Sequence, residues 1–300
     1  MLYATSKGGI SVSIVDNAVI MAAGTASRFA PLSYEMHKAL ITVKGEVLIE
    51  RQIRQLKEAG IPEIYIVTGY KSEQFEYLKE KFDVHLVYNS EYLVRNNNSS
   101  IYAAKDILKN TYLCSSDNYF SENPFEREVE DCYYAAVYAD GETKEWCLEC
   151  DNDGTISKVD IGGKNSWYML GHTFWDETFS KKFVEILEEE YNKPETADLL
   201  WESIYINHIN ELKMKIQKYS DQVVFEFDTL DELREFDKTY IDDTRSQLLK
   251  SVANELGCKE SEITEVLSYK DNNNAAAGFM FTYNQDKYKY SYKEKVLRRV

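Results

Sequence analysis

Apolar residues along this chain come first in short runs and then in helical spacing, and the two patterns take turns. The run Ala18-Val19-Ile20-Met21-Ala22-Ala23 stops at Gly24 and reads as a buried strand. In residues 47–60, Leu48, Ile49, Ile53 and Leu56 fall on one helical face, and Gly60 with Pro62 supplies a stop. Ile64-Tyr65-Ile66-Val67-Thr68 predicts a second strand, residues 72–81 a helix, and residues 84–88 a third strand. A helix over 99–108 and the run Thr111-Tyr112-Leu113-Cys114 follow, so that Asp117 comes just beyond a strand's carboxyl end. Strands alternating with helices predict an α/β fold: three layers, with a mainly parallel, doubly wound sheet and ligands at the carboxyl ends of its strands.

Past Asp131 the pattern becomes strand-like, over 133–138 and 146–149, with turn signals at Asp140-Gly141 and Asp153-Gly154; this predicts a β-rich lid or platform. Helices over 178–190 and 197–210 and a strand over 223–227 complete a main domain, residues 1–240. Residues 241–300 read as a small α+β appendage: an amphipathic stretch over 244–256, a Gly257 stop, and a hairpin around Asn284-Gln285-Asp286.

The 300 residues are 44% hydrophobic, enough for one sizeable core and against disorder. A net charge of −16 opposes broad binding to a nucleic-acid backbone, so no nucleic-acid partner is expected. The five cysteines are an odd set, and Cys147 and Cys150 form a lone CxxC without a second pair; reduced structural thiols are expected. No stretch approaches the roughly 20 apolar residues that span a bilayer, and no signal segment is evident, so no membrane insertion and a cytoplasmic location are expected.

The candidate chemistry starts at Met21-Ala22-Ala23-Gly24-Thr25-Ala26-Ser27-Arg28-Phe29-Ala30-Pro31-Leu32 and continues to His37-Lys38-Ala39-Leu40. Small residues at a strand end let backbone N–H groups approach phosphates. Arg28 can fork onto phosphate oxygens and Lys38 adds a point charge. A strand-end Asp117 suits a metal that bridges phosphates. In Phe225-Glu226-Phe227-Asp228-Thr229, alternation puts Glu226 and Asp228 on one side of a strand. Taken singly, each has an ordinary reading: a tight turn, surface charges, a capping aspartate, a solvated strand face.

Together these residues resemble the nucleotidyltransferase superfamily, and over 17–237 the bacterial CTP:phosphocholine cytidylyltransferases in particular. The resemblance implies a nucleotidyltransferase sheet, an Mg²⁺-dependent enzyme, and transfer of CMP from CTP to phosphocholine by in-line attack on the α-phosphorus. Arg28 and Lys38 are then the catalytic cations, and Asp117, Asp228 and Glu226 the metal ligands. Ala22, Ala23, Gly24, Gly69, Asn97 and Ser100 would bind nucleotide. Two positions depart from the family pattern: Ala26 stands where it has glycine, and His37 where it has proline. His37 has no proton-transfer role, because the attacking phosphate is already an anion.

A quaternary ammonium must be held by aromatic faces and carboxylates. Tyr119, Trp146, Trp175, Trp201 and Asp198 resemble that part of the family, although burial in the core has an equal claim on each tryptophan. Leu200 replaces a family tyrosine, which leaves phosphoethanolamine and 2-aminoethylphosphonate open as substrates. The rivals are a sugar-1-phosphate nucleotidylyltransferase and a degenerate nucleotide-binding regulatory module. The tail bears a short resemblance to the start of a choline-kinase-like N-lobe, without a kinase catalytic loop. Packing against the main domain or self-association, a homodimer included, is the expectation for it.

Overall fold

The structure is a computed structural model that describes residues 12–271 and 276–300. Its contacts divide the chain into two compact units: the residues up to Gly24 with Ile49–Glu226, and Thr25–Leu48 with Phe227–Val300. The sequence places a single boundary near residue 240, whereas these contacts divide the chain at interior points.

The first unit is built on β1 (Asn17–Ala22), α1 (Leu48–Glu58), β2 (Glu63–Thr68), α2 (Tyr77–Phe82), β3 (His85–Tyr88), α3 (Asn98–Ala104), β4 (Thr111–Ser115) and β5 (Asn118–Phe120). It continues with β6 (Tyr133–Cys150), β7 (Ile156–Trp175), α4 (Glu177–Glu190), α5 (Trp201–Asn207), β8 (Lys215–Tyr219) and β9 (Val224–Glu226). Seven strands form the sheet in the order β8-β6-β7-β4-β1-β2-β3. β1 runs parallel to β2 and β4, β2 to β3, and β6 to β8; β7 alone runs against its neighbours. The α/β expectation is met: Val19, Ile66, Val67 and Leu113 are buried, and α1 presents Ile49, Ile53 and Leu56 to the interior. Each such side chain contributes about 1.5–3 kcal/mol by leaving water.

The predicted β-rich segment is two long paired strands that join the main sheet at residues 133–137 and 173–175. Asp140-Gly141 is no turn: β6 runs through it, with Gly141 at φ +96° beside a register shift, and the real turn is at Asp153-Gly154. A bulge and a hairpin turn both call for glycine, so the dipeptide does not distinguish them. The helix expected over 197–210 begins only at Trp201, after an irregular segment.

The second unit contains a helical turn Leu32–Glu35, a ribbon of Thr42–Val43 with Glu46–Val47, α6 (Leu230–Phe236) and α7 (Gln247–Leu256). β10 (Thr264–Lys270), β11 (Ala276–Tyr283), β12 (Asp286–Ser291) and β13 (Val296–Arg299) form an antiparallel meander, of which the sequence showed the central hairpin. α6 was not anticipated, although it starts with a complete capping box between Thr229 and Glu232. α7 ends at Gly257 in the left-handed conformation, φ +68°, as its stop signal requires.

Residues 25–48 are held to the tail by specific bonds. The Glu35 carboxylate accepts from Ser246 Oγ and from the backbone N–H groups of Gln247 (2.8 Å) and Leu248 (3.2 Å). Tyr34 stacks on Tyr292 with centroids 3.7 Å apart. Tyr240 and Arg245 both donate to the Thr42 carbonyl at 2.7 Å. The expectation that the tail packs on the main domain thus takes a definite form: its partner is the segment that carries Arg28 and Lys38.

Candidate active site

In the first unit the phosphate-loop end of β1 is tightly built. Ala22 and Ala23 are buried, and the Ala23 carbonyl accepts from Tyr70 N at 3.0 Å. Gly24 is exposed, and no atom lies within 4 Å of where a Cβ would stand. Gly69 has a packing reason of its own: a Cβ there would fall 2.7 Å from Tyr92 Cγ and 2.9 Å from the Ala23 carbonyl. Glycine is required for that close approach whatever else the residue does.

Asp117 occupies the turn between β4 and β5. Gln52, on the buried face of α1, fixes that turn by donating to the carbonyls of Ser115 (2.7 Å) and Asn118 (3.2 Å). The antiparallel pairing of β5 with β9 sets Glu226 opposite Asn118, one residue from Asp117, and Asn118 Nδ2 donates to Glu226 Oε2 at 3.4 Å. The two acidic motifs, more than a hundred residues apart in the chain, are thus brought side by side by one strand pair.

In the second unit Arg28 Nη1 lies 2.7 Å from Asp228 Oδ2 and Lys38 Nζ 3.7 Å from Asp228 Oδ1. Arg28 is exposed, while Lys38 is buried with its ammonium 5.5 Å from the Phe29 ring centroid. Asp228 lies two residues beyond the end of β9. Ala26 adopts the left-handed conformation, φ +45°, which explains why glycine suits this position. His37 has a structural role: its Nδ1 accepts from Ala39 N at 3.1 Å and caps the turn bearing Lys38.

The asparagine run and the Asp198–Glu202 segment meet. Asn97 Oδ1 accepts from Trp201 N (2.8 Å), Asn97 Nδ2 donates to Glu202 Oε2 (3.3 Å), and Asn96 Nδ2 donates to the Asp198 carbonyl (3.1 Å). Ser100 is buried and accepts from Asn89 Nδ2 at 3.2 Å. The Asn97 amide is therefore engaged on both sides by the protein itself.

The aromatic set divides. Trp175 and Trp201 belong to the core, 5.1 Å apart edge to face; Trp175 also packs on Phe179 and Phe183, and Trp201 stacks on Tyr134. Trp146 is partly buried against the same core. Tyr119 is half-buried under the Arg51 guanidinium, 4.8 Å from its ring centroid. Asp198 is exposed. The sequence does not single out Gln52 or Arg51. Gln52 had a signal, a polar residue on the apolar stripe of α1; Arg51 had none beyond residue type. A cavity of about 510 Å³ lies away from these motifs, reached by Tyr112, Tyr133 and Lys215 at the opposite, leading ends of β4, β6 and β8.

A parallel sheet with an acidic turn at a strand's carboxyl end, and a loop delivering an arginine and a lysine to a carboxylate, define a nucleotidyltransferase. Residues 18–121 match the MobA-like NTP transferase domain. The chain is similar to the choline-phosphate cytidylyltransferase of Streptococcus pneumoniae, 35% identical over 74% of this chain and 96% of the relative. It is 37% identical to the 2-aminoethylphosphonate cytidylyltransferase of Lancefieldella rimae, over 75% of this chain and 93% of that one. The solved structure of CTP:phosphocholine cytidylyltransferase from Streptococcus pneumoniae superimposes with a TM-score of 0.72, 35% identity, 76% coverage of this chain and 99% of the other. The chain belongs to this family of bacterial cytidylyltransferases.

Among the described residues no helix is long and apolar enough to cross a membrane. None of them form a group of three or more His, Cys, Asp or Glu suited to a metal ion. The donors present still fit a hard cation of the magnesium kind, which takes one or two carboxylates and completes its shell with water and substrate phosphate oxygens. Asp117 stands in a turn at a strand end, and Asp228 offers both oxygens to cations already.

Proposed function

We propose that this enzyme transfers CMP from CTP to phosphocholine, releasing pyrophosphate. The observation that carries the reading is the convergence of Arg28 and Lys38 on Asp228 in a chain of this family. Asp117, Asp228 and Glu226 are the proposed carboxylate ligands of Mg²⁺, which when bound would neutralise charge on the phosphates. Gly24, with Ala22 and Ala23, receives the triphosphate. Arg28 and Lys38 exchange Asp228 for phosphate oxygens and stabilise negative charge as it moves to the leaving pyrophosphate. The attacking phosphate oxygen is an anion, so positioning and electrostatics suffice without a general base. Gly69 shapes the turn beside Ala23, and Asn97 and Ser100 hold the wall on which Asp198 and Trp201 are carried.

Leu200 favours a second reading, 2-aminoethylphosphonate as the acceptor, because the family tyrosine is absent there and a relative named for that substrate is 37% identical. Pyrophosphate release measured with CTP, UTP, dTTP and ATP against phosphocholine, phosphoethanolamine, 2-aminoethylphosphonate and glucose-1-phosphate tests both. Turnover confined to the sugar phosphate would overturn the assignment.

A further inference from the structure

We infer that Gln52 is a positioning residue for the metal site: it holds the Asp117 turn so that Asp117 and Glu226 are presented together to the cation. This role rests on the ligand set proposed above and belongs to a residue outside that set. Gln52 lies on the buried stripe of α1, flanked one turn away by Leu48, Ile49 and Leu56, and like them it is no more than 1% exposed. An apolar side chain is the ordinary occupant of such a place, because burying an amide is costly unless its polar atoms find partners. Gln52 Nε2 donates to the carbonyls of Ser115 (2.7 Å) and Asn118 (3.2 Å). Its Oε1 is buried without a hydrogen-bond partner among the described residues. The opposite amide orientation would turn that oxygen onto two carbonyl oxygens, so the two donors account for both the residue type and its direction.

The two carbonyls stand on either side of Asp117, and one amide therefore spans the turn that carries the carboxylate. Asn118 also pairs with Glu226 across β5 and β9, and its Nδ2 donates to Glu226 Oε2 at 3.4 Å. Holding Asn118 thus sets the approach of Glu226 to Asp117 as well. The neighbouring donors of α1 hold a later stretch: Arg51 donates to the carbonyls of Phe120 (2.7 Å) and Ser121 (2.8 Å), and Gln55 to that of Phe120 (3.1 Å). Gln55 is buried with an unpartnered Oε1 as Gln52 is, but the carbonyl it holds lies past the turn and is shared with Arg51. α1 therefore carries two similar amides, of which one braces the acidic turn. Residues that orient a ligand without touching the ion are worth about 10–100-fold in metal affinity.

The test is calorimetric binding of CTP to the full chain, without an acceptor, in Mg²⁺ and again in EDTA. The ratio of the two affinities is the contribution of the metal. Gln52→Met keeps the volume and removes both donors. It should lower the ratio by about tenfold or more, with the affinity in EDTA unchanged. Gln52→Asn, whose amide is too short to span both carbonyls, should fall between, and Gln55→Met should leave the ratio as it is. A ratio that Gln52→Met leaves intact while its melting temperature falls, an equal loss in EDTA, or an equal fall in Gln55→Met overturns the inference. Where Gln52→Met fails to fold, an unchanged ratio in Gln52→Asn overturns it instead. Asp117→Ala separates this role from the ligand assignment. If Asp117→Ala lowers the ratio and Gln52→Met does not, the assignment stands and the role of Gln52 falls; if Asp117→Ala leaves the ratio intact, both fall.

Discussion

Arg28 reaches Asp228 at 2.7 Å from an exposed position, while Lys38 approaches the other oxygen at 3.7 Å from a buried one. One carboxylate thus holds both cations. Arg28 is so exposed that the pair adds little to stability. Arg28→Ala should therefore leave the melting temperature nearly unchanged while lowering kcat by roughly 10²–10³-fold, the scale of a lost transition-state donor. Arg28→Lys should not restore it, because the planar fork is lost. Steady-state rates beside a melting curve decide the matter.

Asp117 lies in a turn held by Gln52 through backbone carbonyls, which do not depend on the Asp117 side chain. Asp117→Ala should abolish turnover with the fold intact. Retained turnover across an Mg²⁺ titration would remove the ligand assignment.

Ala26 pays for a left-handed backbone, φ +45°, with a Cβ. Ala26→Gly relieves about 1 kcal/mol of that strain and loses part of the gain to the freer unfolded chain. A net stabilisation of about 0.5 kcal/mol is expected in urea unfolding; clear destabilisation would show the strain to be absent.

Glu35 joins the loop bearing the two cations to the first turn of α7. Glu35→Ala should cost about 1–2 kcal/mol, the range for a lost helix cap, and lower kcat together with it. Glu35→Gln should recover most of the stability. Unchanged kcat in the alanine variant would separate the tail from the chemistry.

His172 is fully buried, with Nε2 2.8 Å from the Tyr133 hydroxyl, and burial lowers its pKa from 6.5 to about 3. The unfolded chain takes up the proton first, so the contribution of this residue is complete above about 6.5 and is lost as pH falls towards 3. The slope is about 1.4 kcal/mol per pH unit within that window. Glu202 acts in the opposite sense: its raised pKa makes stability decline as pH rises from 4.5 to about 7. Urea midpoints between pH 7 and pH 5 should show a weak net dependence in the wild type and a steeper acid loss in Glu202→Gln. His172→Gln should reverse the sign.

The alternation of short apolar runs with helical stripes was enough to place β1, α1, β2, β3 and β4 and to put Asp117 past a strand end. Buried strands and amphipathic helices write their burial directly into residue order. The loop motif likewise marked Arg28 and Lys38 as candidates, since that signature is local in sequence; Asp228 came from a separate late motif, and only the fold brings it to them. Four other features were not legible. Asp140-Gly141 carries the same residues whether it makes a turn or a bulge. Trp175 and Trp201 look alike as ligand cage or core, and only packing separates the two. Residues 25–48 share a unit with the tail because Glu35, Thr42 and Tyr34 find partners two hundred residues away. Glu202 stands in a motif the sequence shows, but only the fold sets it between the neutral donors Tyr134 and Asn97. Periodicity and motif are one-dimensional, so the chain order alone determined the sheet and the cationic loop. Desolvation and long-range pairing exist only once distant segments are packed together, and tertiary structure decided which carboxylates meet cations and which stand without one.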